Sequence, residues 1–100
     1  MITETAYMSI QPGREADFEA AIAVARELVE VTPGCRGLTV QRGIERPEVY
    51  LVTIQWDTLE DHLVGFRESS RFPRWRELLS PHYSEPPTVE HWTPVDSSAE

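Results

Sequence analysis

The sequence predicts an α+β fold, a ferredoxin-like β-α-β-β-α-β chain whose single antiparallel sheet is covered on one side by helices. Two observations predict it. The hydrophobic period is two over residues 2–10, becomes three and four from residue 15, and returns to β-rich runs over 38–44 and 49–56, before a second helical stretch and a last strand. Turn residues fall between these segments, at Gln11-Pro12-Gly13, Thr32-Pro33-Gly34, Glu45-Arg46-Pro47-Glu48 and Pro86-Pro87.

In the first strand Ile2, Ala6, Met8 and Ile10 share one face and Thr3, Thr5, Tyr7 and Ser9 the other. Phe18, Ala21, Ile22, Ala25, Leu28 and Val29 then form the apolar stripe of a helix of about four turns. Pro33 cannot continue its ladder and Gly34 tolerates a left-handed exit. The runs 38–44 and 49–56 read as a hairpin joined by a loop over 45–48. Asp57 or Thr58 caps the second helix, with Glu60 or Asp61 placed for a capping box and Leu59, Leu63 and Phe66 as apolar positions. Gly65 and Ser69-Ser70 break this helix in two, and Pro73 suits the first turn of its second half, whose buried face is Trp75, Leu78 and Leu79. Residues 88–93 are the last strand. One domain over 1–94 and a polar tail over 95–100 are expected.

A chain of 100 residues buries only about two-thirds of its unfolded surface, and two helices cover one face of a four-stranded sheet. The other face calls for a second subunit, so a homodimer is expected. Net charge is −8, with nine arginines scattered among acidic residues and no basic stripe, which argues against a nucleic-acid partner. No run approaches the roughly 20 apolar residues of a membrane span, and the first residues lack a leader pattern, so the expected location is the cytoplasm. Cys35 is the only cysteine, and His62, His82 and His91 lack metal-ligand spacing. With no Gly-rich phosphate loop or nucleophile elbow either, no metal, haem, flavin or nucleotide cofactor is expected.

The segment from Tyr50 through Trp56 to His62, followed by Gly65-Phe66-Arg67-Glu68-Ser69, Phe72 and Trp75-Arg76-Glu77-Leu78-Leu79, resembles the antibiotic biosynthesis monooxygenase family. Residues 20–25 and 32–37 resemble it more loosely. The resemblance implies a dimeric α+β barrel with a pocket between sheet and helices, where a phenolic polyketide or quinol-like substrate reacts with dioxygen without a cofactor. Such chemistry needs a base to form the substrate anion, which passes an electron to dioxygen, and fixed donors or a cation to hold the charge. The resemblance implies Trp56, His62 and Arg76 as catalytic residues and Tyr50, Val52, Phe66, Phe72 and Trp75 as pocket residues.

The residues themselves allow two readings at each position. His62 falls on the apolar stripe of the second helix, so it is an inward base or a core histidine. Arg76, at the border of the apolar face, is an anion clamp or an ion-paired surface residue. Trp56 ends its strand as a pocket donor or a core aromatic. The chain departs from the family in one respect. Family oxygenases carry an Asn four residues before the Trp, whereas Val52 stands here and the chain has no Asn at all. Tyr50, which shares the face of Trp56, is the first candidate substitute, ahead of Tyr7, Gln55 or water. A cyclase, isomerase or dehydratase using the same pocket, and a ligand-binding dimer without turnover, are the alternative functions.

Overall fold

The computed structural model describes residues 1–96. Four strands, β1 (Ile2–Ser9), β2 (Cys35–Arg42), β3 (Val49–Trp56) and β4 (Thr88–Trp92), form one antiparallel sheet in the order β2-β3-β1-β4. Helix α1 (Glu15–Glu30), a π-helical turn (Asp61–Phe66) and helix α2 (Arg71–Leu79) complete the predicted β-α-β-β-α-β order, with the second helical region split as expected. The first strand of the chain is therefore central. Ala6 lies opposite Val52 on β3 and Val89 on β4, and Glu4 opposite Ile54 and His91.

Alternation decides which face is covered. Ala6, Met8, Ile10, Leu38, Tyr50, Val52, Ile54 and Trp56 are buried, and Phe18, Ile22, Ala25 and Val29 of α1 pack over them with Phe66, Trp75 and Leu79. The opposite face carries Thr3, Thr5, Tyr7, Leu51, Thr53 and Gln55, none of them buried. Among the described residues no helix is long and apolar enough to cross a membrane.

Both boundaries of β2 and the form of one helical turn differ from expectation. Strand β2 starts at Cys35, directly after Gly34, whose φ of 92° makes the left-handed exit that the sequence suggested. It is anchored there by the Gly34 carbonyl, which accepts from Asp57 N, and by paired 2.8 Å bonds from Arg36 to the Asp57 carboxylate. The strand ends at Arg42 because Gly43 and Val49 close a turn, with Gly43 N donating to Val49 O and Val49 N to Arg46 O. Ile44, expected in the strand, is 89% exposed. In the second helical region Thr58 and Asp61 form the capping box, each side chain accepting from the other's N–H. The turn that follows is wider than α-helical, with Arg67 N donating to His62 O. His62 and Phe66 point inward, while Leu59 is exposed and Leu63 half-buried. The expected polar tail lies, from residue 97 on, outside the described residues.

Candidate active site

Between the covered face of the sheet and the second helical region lies a cavity of about 520 Å³, the size of a site for a small multi-ring ligand. Ala6, Met8, Ile54 and Val89 form its sheet side and Phe66, Phe72 and Trp75 an aromatic wall. The Phe66 ring meets Phe72 and Trp75 edge to face, at 5.7 and 6.0 Å between centroids. The wall follows from the break between the wide turn and α2, which brings all three rings together.

At the buried end a polar cluster interrupts this surface. Glu4, a carboxylate on the apolar face of β1, accepts from the Trp56 indole N–H at 2.9 Å through Oε1 and faces His62 Nε2 at 3.5 Å through Oε2. The His62 ring stacks on Trp56, 5.6 Å between centroids, and its Nδ1 shares a 2.8 Å hydrogen bond with His91 Nε2. Glu4, His62 and His91 thus form a chain from a buried carboxyl to an exposed imidazole. The β1–β4 register puts His91 opposite Glu4 and so on the helix-covered side.

Burial sets the protonation of this cluster. It holds the Glu4 carboxyl above its ordinary range, only partly offset by the Trp56 hydrogen bond and the positive charge of Arg67. His62 is pushed down to about 4, first by burial, then by Arg67 and His91, so it is neutral at physiological pH. His91 is lowered for similar reasons, burial and Arg67. A neutral imidazole between a carboxyl and a second imidazole can take a proton at one nitrogen as it gives one up at the other.

Other polar groups face the same space. The Tyr83 hydroxyl is bound only to the Met8 sulfur, at 3.7 Å, and burial raises its pKa to about 12, so it stays a donor with a weak acceptor. Arg67 and Arg76 stand at the exposed edge, 5.9 and 5.8 Å from the Phe72 ring centroid. Neither has an ion-pair partner among the described residues.

Of the residues singled out in the sequence, His62, Arg76, Phe66, Phe72 and Trp75 line the cavity. Trp56 lies behind it, against the lining residues Glu4, His62 and Phe66. Val52 is fully buried in the core and Tyr50 is committed elsewhere, its hydroxyl donating to Glu19 at 2.6 Å and its ring packed on Phe18. Tyr7 and Gln55 lie on the opposite face, so none of the suggested replacements for the missing Asn reaches the cavity. Glu4, Arg67 and Tyr83 do, and the sequence reading passed over all three. Among the described residues no group of three His, Cys, Asp or Glu side chains is placed to hold a metal ion.

Comparison with known proteins agrees with this architecture. The family model for antibiotic biosynthesis monooxygenase matches residues 1–78. The uncharacterized protein YczJ of Bacillus subtilis is 37% identical over 95 residues, spanning 95% of this chain and 100% of YczJ. The crystal structure of a candidate antibiotic biosynthesis monooxygenase from Bordetella bronchiseptica superimposes with a TM-score of 0.90 at 45% identity, over 94% of this chain and 96% of that one. A variant of SnoaB, a cofactor-independent oxygenase from Streptomyces nogalater, shares the fold with a TM-score of 0.84 at 16% identity, over 99% and 97% of the two chains. The chain belongs to the antibiotic biosynthesis monooxygenase family.

Proposed function

We propose that this protein is a cofactor-independent monooxygenase of a small, flat phenolic or quinol-like substrate, acting as a homodimer in the cytoplasm. The observation that carries the reading is the Glu4–His62–His91 chain, whose buried members Glu4 and His62 line an apolar cavity together with two arginines. The aromatic wall takes the ring system. Glu4, whose raised pKa makes it a better base than an ordinary carboxylate, accepts the acidic proton of the substrate, and the neutral His62 relays charge between Glu4 and His91. For a hydroxyanthrone, the carbanion so formed passes an electron to dioxygen and the two radicals join in a carbon–peroxide bond. The stored proton returns to the peroxide, and loss of the remaining C–H proton with hydroxide leaves a carbonyl and one water. Tyr83 donates to the substrate oxygen that gains charge, the part the missing Asn would otherwise play.

Oxygen uptake with a panel of hydroxyanthrones and quinols tests the reading. His62→Ala and His62→Gln are both expected to lower turnover by about two to four powers of ten, the usual worth of a positioned acid–base group. Full activity of a folded His62→Ala protein would remove His62 from the mechanism. A second reading, a non-oxidative isomerase or dehydratase, draws on the same acid–base chain and the absence of any side-chain amide from the cavity lining. Turnover without oxygen consumption would select it.

A further inference from the structure

The protein has nine arginines, no lysine and 17 acidic residues, and five of the arginines are paired with a carboxylate. Arg14, Arg26, Arg36, Arg42 and Arg74 each pair with an acidic side chain, Arg71 is held by Thr32 Oγ1 and Gly65 O, and Arg46 lies exposed in the β2–β3 loop. Arg67 and Arg76 have no such partner among the described residues, yet they are the two arginines that line the cavity. Both lie against one ring, with guanidinium carbons 5.9 and 5.8 Å from the centroid of Phe72. Phe72 is itself part of the aromatic wall, so the two cations stand where a ring stacked on that wall would end.

Glu4 and His62 are buried, whereas both arginines are exposed, Arg67 near enough for its charge to act on Glu4 and His62. We infer that the substrate carries a carboxylate at the exposed end of its ring system, and that Arg67 and Arg76 together bind it. Two planar guanidinium forks can each offer paired N–H donors to one carboxylate, a geometry a single lysine could not supply. On a molecule of net charge −8, an anionic ligand needs a local positive field to approach, and these two residues supply it at the cavity. Glu85 also lines the cavity, but its carboxylate accepts from Ser9 Oγ at 3.4 Å and makes no ion pair with either arginine.

The inference rests on the reading that the cavity takes a flat phenolic ring, and it can be tested without turnover. Binding of anthraquinone-2-carboxylate and of its neutral carboxamide is measured by quenching of tryptophan fluorescence, Trp75 being in the cavity wall. The carboxylate is expected to bind at least tenfold more tightly, with an advantage that shrinks as salt is added. Arg67→Gln and Arg76→Gln should each remove most of that advantage and leave carboxamide binding unchanged. Arg46→Gln, which alters an exposed arginine of the β2–β3 loop away from this cavity, should leave both affinities as they are. Equal affinities for the two probes, no binding of either, or a preference that survives in the double variant would overturn the inference. A carboxylate preference without oxygen uptake by any carboxylated hydroxyanthrone would leave it standing and remove the oxygenase reading alone.

Discussion

At the scale of single residues, the buried Glu4 is the least expected feature, and its partners explain why it is tolerated. A carboxylate on an apolar face survives when its oxygens are satisfied, here by Trp56 and His62. The two titrating groups pull stability in opposite directions. Because the folded Glu4 pKa is raised, its contribution is fully present below the ordinary carboxylate pKa of 4.5 and is lost as pH rises through the folded value. His62, lowered from 6.5 to about 4, resists a proton that the unfolded chain accepts, so its contribution is lost as pH falls from 6.5 toward about 4. Glu4→Gln keeps an acceptor for Trp56 without the buried charge. It is expected to raise the melting temperature near neutral pH, by an amount that shrinks in acid, while lowering turnover; an unchanged melting temperature at neutral pH would contradict this balance. The period of two in β1 had already placed Glu4 among Ile2, Ala6, Met8 and Ile10. Residue type alone kept it out of the sequence reading, although one charged residue in an apolar alternation is the signal for a partnered buried group. Tyr83 gave no such signal, since it lies in an irregular stretch whose path only the assembled fold determines.

At the scale of elements, the π-helical turn at Asp61–Phe66 decides which side chains reach the cavity. An α-helical reading put Leu59, Leu63 and Phe66 inward with His62, but the extra residue in the turn leaves only His62 and Phe66 buried. Sequence periodicity cannot show this, because the insertion changes the period within a single turn. The cap was legible, since Thr58 and Asp61 have the spacing that a reciprocal cap requires. Gly34 locks the same turn from outside: a Cβ there would collide with the Asp61 carboxylate, in a backbone conformation already unfavourable to other residues. Gly34→Ala should therefore cost about 1–3 kcal/mol in chemical denaturation and lower turnover as well, because Asp61 adjoins His62. Thr58→Ala, which removes only one cap bond, should cost about 1 kcal/mol. If Gly34→Ala were as stable as the parent, the proposed lock would be wrong.

At the scale of the molecule, the open sheet face carries Trp92 and Tyr7, 52% and 38% exposed, among threonines and Gln55. Large aromatic rings in a mixed polar field are the composition of a subunit interface. Sedimentation at micromolar concentration should give twice the chain mass, and Trp92→Glu together with Tyr7→Glu should give the monomer; a monomeric parent protein would refute the dimer. The pairing of β2 with β3 was legible because the hairpin is explicit, whereas the partners of β1 carry no local sequence mark. Strand β1 is made first, yet its neighbours are residues 49–56 and 88–92. During synthesis one of its edges must wait for residue 56 and the other for residue 92, which is a high-contact-order assembly and a slow one. Glu4 meets His91 only in the last pairing. A nascent or truncated chain ending before residue 88 would thus expose a bare strand edge and lack the His91 member of the Glu4–His62–His91 chain, so closing the sheet and assembling that chain are one event.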